Sequence, residues 1–194
     1  MRGVAFVVMA VMLGACAGRD PYVATPATMA SGNWKIERQV DRITGVPVPS
    51  AMIVIPNASN SFADYAKPAS MQLTCFDGKP IVRFAFDFKV GTDPNSTLGY
   101  RFDEKPGHDN VAARFLQEYR TVVIEDHAAV ATFANELATS NMLVIRIRSL
   151  AAGRTTADFK LDGATAAIEA AFAGCPLTQP APLPAAKKKR GAKV

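Results

Sequence analysis

Residues that usually carry enzyme chemistry are scarce in this chain. Among 194 residues there are two histidines, three cysteines and one tryptophan. His108 and His127 stand alone, and Cys16, Cys75 and Cys175 lie far apart, so the paired ligand spacing of a zinc site is missing. No Gly-x-Ser-x-Gly occurs, which removes the strained elbow of a serine hydrolase. Neither Gly-x-Gly-x-x-Gly nor a phosphate loop is present, which argues against nucleotide use. The 17 acidic residues are scattered, and no spacing marks a glycosidase pair. Asp103, Glu104, His108 and Asp109 share one stretch but lack the alternating oxygen ligands of a calcium loop. No catalytic residue, metal ligand or cofactor is therefore expected.

A cationic folded surface is also lacking. The formal charge is +5, yet Lys187, Lys188, Lys189, Arg190 and Lys193 crowd the last eight positions. Without them, 17 basic residues face 17 acidic ones, so a folded nucleic-acid-binding module is not expected. The cluster follows a Pro/Ala-rich stretch and reads as an extended tail, 177–194, drawn to anionic envelope material such as phosphorylated lipids or acidic polymers.

The one long uncharged run, Gly3 to Ala15, would reach only ~20 Å as a helix, too short to cross a bilayer comfortably. After Arg2 it reads as an export signal. Its end, Leu13-Gly14-Ala15-Cys16, resembles the lipobox of bacterial lipoproteins. That resemblance implies cleavage before Cys16, acylation of Cys16, and a membrane anchor facing the periplasm. Ala17 lacks the acidic signal for inner-membrane retention, which points to the outer membrane. The alternative is an ordinary signal peptide cut after Ala15 or Ala17.

Lipid on Cys16 leaves Cys75 and Cys175 in an exported chain, where oxidation is permitted, and a disulfide between them is predicted; two buried free thiols are the other reading. Residues 16–32 read as a tether and 33–176 as a single α+β domain.

Alternation at period two marks seven or eight strands. Val82, Phe84, Phe86 and Phe88 share a side; so do Leu73 with Cys75, Leu143 with Ile145 and Ile147, and Ala157 with Phe159 and Leu161. Residues 51–55, 98–102, 112–119 and 121–124 complete the set. Asp77-Gly78 predicts a tight hairpin between two of the strands. Two segments switch to helical spacing, one from an Asp126 cap through Val130, Phe133 and Leu137, the other from Gly163 through Ile168 and Phe172 towards Cys175. A mostly antiparallel sheet with two short amphipathic helices is expected.

Arg83, Arg101, Arg146 and Arg148 fall on outward faces and would form a basic stripe if their strands were adjacent; a solvated face balanced by Asp87, Asp103 and Asp158 is the plainer reading. His108 and His127 read as surface or cap residues, with a hydrolase or small-ligand site near either as the alternative. Asn57-Ala58-Ser59 and Asn95-Ser96-Thr97 are expected in loops.

Several motifs together resemble a known group. They are Gly32-Asn33-Trp34, the Cys75 strand, Tyr100-Arg101-Phe102-Asp103, the 133–137 helix, Leu143-Val144-Ile145-Arg146, Phe159-Lys160-Leu161-Asp162-Gly163 and the closing Cys175. Across residues 32–176 the chain is similar to periplasmic proteins of the VasI type, associated with type VI secretion, and more loosely to the invasion-associated locus B type. The resemblance implies an exported β-rich domain with an accessory or interaction role, and it carries no catalytic residue across. Protein or polymer partners in the envelope are what it leads one to expect.

Overall fold

The computed structural model describes residues 28–91 and 95–178, together with the backbone of 23–24. Cys16, the run read as an export signal and the basic cluster at 187–193 lie outside the described residues. The strands are β1 (Val23–Ala24), β2 (Thr28–Ser31), β3 (Trp34–Asp41), β4 (Pro47–Asn60), β5 (Lys67–Phe76), β6 (Lys79–Phe86), β7 (Thr97–Phe102), β8 (His108–Val111), β9 (Arg114–Leu116), β10 (Thr121–Ile124), β11 (Met142–Ser149) and β12 (Gly153–Lys160). The helices are α1 (His127–Leu137) and α2 (Ala164–Ala171).

All pairings are antiparallel, in the order β8-β7-β11-β12-β4-β5-β6-β10-β9, with β3 beside β4 and joined by β1 and β2. The α+β class stands, but the described residues hold twelve strands where seven or eight were expected. The extra ones are β1, β2, β3 and β8, while the expected strand 112–119 contracts to β9. In β1, β2 and β8, two to four residues are too few for alternation to show. The sheet also begins earlier than the tether reading allowed, because β2 pairs along β3 from Thr28.

Strand β4 organises the sheet. Its first half pairs with β3 and β5, its last residues with β12, and its register shifts between Ile55 and Ala58. Pro56 cannot donate to a ladder and is tolerated at such an irregularity. Bending there curls the sheet into a half-barrel. The curl is visible in the aromatic contacts, since Phe133 of α1 meets Phe84 of β6 at 6.1 Å and also Tyr100 and Phe102 of β7 at 5.0 and 5.1 Å. Those strands are far apart in the sheet order, so only a curved sheet brings them to one helix.

The hollow is filled by side chains that alternation assigned inward: Met71, Leu73, Val82, Phe84, Leu143, Ile145, Ile147 and Phe159 are fully buried. Phe88 departs from that ladder, lying beyond the end of β6, partly buried and stacked on Phe86 at 5.8 Å. Asp126 caps α1, accepting the Ala129 N–H at 2.9 Å, as its residue type predicts. Helix α2 is shorter than its period suggested and ends before Cys175, which sits in the following turn. Cys75 and Cys175 are disulfide-bonded, tying β5 to the end of the helical segment.

Two quoted motifs prove to be halves of one junction. Asn33 N–H donates to the Asp162 carbonyl at 3.0 Å, Asn33 Nδ2 to that of Lys160 at 3.2 Å, and Trp34 Nε1 to that of Leu161 at 3.4 Å. Gly32 and Gly163 face Asp162 and Ser31 backbone so closely that neither could carry a Cβ, and both have positive φ.

Candidate functional site

Every second residue of β11 and β12 points away from the core, and register decides which of them meet. The pairs on the outer face are Val144 with Asp158, Arg146 with Thr156, and Arg148 with Arg154. On the other side of β11, Arg101 of β7 stands opposite Val144 and Thr97 opposite Arg148. Three of the four arginines suggested for a stripe thus lie on adjacent strands. Arg83 does not join them: it sits on β6 and donates to Gln117 Oε1 at 3.0 Å.

The balancing acids also differ from expectation. Asp87 lies beside Arg120 and Asp158 opposite Val144, while Asp103 accepts the Asn141 and Met142 N–H groups at 3.0 and 2.8 Å, closing the start of β11. The acid that serves the stripe is Asp109, from the edge strand β8, bonded to Arg146 at 3.2 Å and Arg148 at 2.9 Å. Partial desolvation would raise its carboxyl, but the Arg148 charge, the Asn110 N–H and Arg146 outweigh this and hold it below the ordinary 3.8. Asp103 and Asp109 are therefore committed to different partners. No group of three or more His, Cys, Asp or Glu side chains suited to a metal occurs among the described residues.

Arg154 has no acidic partner among the described residues. Like charges placed directly opposite across a ladder are unfavourable, so Arg148 and Arg154 form a locally destabilising pair with only one of its members neutralised. They line a groove of about 830 Å³ with Ser59, Ser61, Thr97 and Thr156. Both Asn-x-Ser/Thr triplets contribute to it, and the first belongs to β4 rather than to a loop. A smaller space of about 360 Å³ continues along the stripe past Arg146, Arg101 and His108, sharing Thr156.

The corner of the groove is rigid. Asn60 is buried and donates from Nδ2 to the Ala152 carbonyl and Thr155 Oγ1, both at 2.8 Å, while its Oδ1 accepts the Phe62 N–H at 2.8 Å. Ser61 Oγ accepts the Arg154 N–H at 2.9 Å. Gly153, at φ +76°, lets the Phe62 ring close over the turn, because a Cβ there would lie 3.1 Å from Phe62 Cγ.

The histidines have structural partners. His108 Nε2 bonds Glu136 Oε1 at 2.7 Å, and its ring stacks on Tyr100, directly opposite in the ladder, at 4.6 Å. Burial pushes the Tyr100 hydroxyl up to about 12, with the Glu136 charge adding to it. Lys105 reaches the same helix end, donating to the Glu136 carbonyl, Thr139 Oγ1 and Ser140 Oγ. Cations there satisfy terminal carbonyls and suit the negative end of the helix, so these contacts clamp α1 to the β7–β8 connection. The space beside His108 holds Thr156 but neither serine nor cysteine among the described residues. His127 is only half buried at the start of α1, near the Pro176 carbonyl at 3.3 Å.

Reading the sequence missed Arg154, Glu136 and the role of Asp109. Arg154 had a signal, since running the alternation back from Phe159 puts Asp158, Thr156 and Arg154 outward. Glu136 had none, because its partner lies 28 residues away on another element.

Fold and site together define a half-barrel β domain with two helices, one disulfide and an arginine-lined outer groove. No protein-family model matches the chain, and no curated protein does. Among solved structures it is similar to invasion associated protein B from Bartonella henselae, at 13% identity over 76% of this chain and 97% of that one, with a TM-score of 0.49. No residue role is carried across from it.

Proposed function

We propose that this is an exported bacterial envelope protein, anchored through acylated Cys16, that works without catalysis by binding an anionic partner through its arginine face. The observation that carries the binding reading is the Arg148–Arg154 pair, opposed across β11 and β12 with a single carboxylate, Asp109, shared between Arg148 and Arg146. An anion seated there removes the repulsion, and it gains charge-assisted hydrogen bonds from a planar guanidinium. Export is supported by the lipobox residues and by the Cys75–Cys175 bridge, a bond that persists in oxidising compartments. The cations at 187–193 supply a second contact with anionic envelope surfaces.

Two experiments test this. Arg154→Glu in the full chain is expected to abolish the amide shifts that inorganic polyphosphate induces at residues 146–156; unchanged shifts refute the groove. Cys16→Ala is expected to end acyl labelling and release the protein from membranes; unaltered membrane association refutes the anchor.

A further inference from the structure

We propose that the groove between β4, β7, β11 and β12 takes an anionic saccharide, with the acidic group on Arg148 and Arg154 and the sugar ring against Phe62. This rests on the anion-binding reading above and names its ligand class.

The donor set is the first reason. A phosphate chain carries acceptors alone and is best met by a dense run of cations. This groove instead places two guanidiniums among four hydroxyls, Ser59, Ser61, Thr97 and Thr156. Hydroxyls both donate and accept, which is what sugar hydroxyls need from a partner. Each is oriented from within: Ser59 and Thr156 bond each other at 2.7 Å, Ser61 accepts the Arg154 N–H and so keeps its own O–H to donate, and Thr97 accepts from Arg148 Nε at 3.4 Å. The groove wall is thus polar, prearranged and only partly satisfied.

The rim is the second reason. Leu150, which lines the groove, is 83% exposed, and Phe62, beside the lining residue Gly153, is 69% exposed. An aromatic ring left in water normally costs more than it returns. Here the ring packs against Gly153, a residue of the groove wall, where a Cβ would come within 3.1 Å of it. Aromatic faces beside polar donors suit the apolar C–H face of a pyranose, and a phosphate polymer has no use for them. About 830 Å³ lies within the usual range for small-ligand sites and accommodates a short oligosaccharide.

Three probes are titrated into the full chain by calorimetry, with amide shifts as the locator: an oligogalacturonate, a neutral galacto-oligosaccharide of equal length, and inorganic polyphosphate of equal length. The oligogalacturonate is expected to bind about tenfold tighter than either of the others, with shifts at residues 59–62 and 148–156. Phe62→Ala is expected to weaken the uronate about fivefold and leave polyphosphate unchanged, and Arg154→Glu to remove uronate binding. Polyphosphate binding as tightly as the uronate, with Phe62→Ala silent, overturns the saccharide assignment and leaves the anion-binding reading intact. Neutral sugar binding as tightly as the uronate, or no probe shifting the groove, overturns both.

Discussion

The hairpins β5–β6 and β11–β12 are built alike, each paired over eight residues with one face in the core. Their outer faces differ. On β5–β6 the opposed outer pairs are Ser70 with Ala85, Gln72 with Arg83, Thr74 with Ile81 and Phe76 with Lys79, so neither of the two cations faces another charge. On β11–β12, Arg148 meets Arg154 and Arg146 stands beside them. The first arrangement is what stability alone favours, and β5 is also the strand tied down by the disulfide. The second costs stability at a place where the fold has no need of charge, and such local conflicts concentrate at functional sites. Two similar hairpins thus differ in kind, one tied into the half-barrel by the disulfide and the other carrying the arginines on which the proposed binding rests.

The division breaks most visibly at the disulfide. Cys75→Ser is expected to lower the unfolding free energy by about 2–5 kcal/mol while leaving the groove's ligand affinity unchanged. Urea unfolding with and without reductant checks this: reductant destabilises the native chain and leaves the variant where it was. Affinity falling together with stability would mean that the hairpins are not independent.

On the binding hairpin a smaller change of opposite sign follows. Arg154→Glu replaces a repulsive cross-strand pair with an attractive one, so it is expected to raise stability by about 0.2–1 kcal/mol while removing anion binding. A loss of stability in the same urea experiment would show that Arg154 supports the fold.

The smallest effect sharpens the comparison at one carboxylate. Asp109 holds its proton less tightly in the folded chain than the ordinary 3.8 implies, so its contribution to stability is complete above that value and fades as pH falls through the lowered one. A carbon-detected titration is expected to place its midpoint below 3.8 and to move it upward in Arg148→Ala. An unmoved midpoint would show that the Asn110 N–H, rather than the arginine face, sets it.

How far the sequence carries depends on the range of the interaction. The inward faces of β5, β6, β11 and β12 were legible because burial repeats every second residue. The caps and turns were legible because Asp126 and Asp77-Gly78 act within a few positions. Asp77 and Gly78 adopt φ of +50° and +69°, as a two-residue hairpin requires. The short strands β1, β2 and β8 were not legible, since two to four residues show no period. Among site residues, Arg146 and Arg148 could be placed outward, but their partner Asp109 was read as part of an acidic loop. Only the β7–β8 pairing carries it to them.

By itself, then, the amino-acid order determined which side chains face the core and where the first helix and the tight hairpin turn begin, because these follow from local periodicity and from capping and turn residues. Tertiary structure alone decided that Arg148 stands against Arg154, that Glu136 meets His108, and that the Phe62 ring packs against Gly153 beside the groove. Those meetings depend on register, on the bend of β4 near Pro56, and on a helix wedged between distant strands. Each arises from the fit of whole elements, and none is encoded within any one segment.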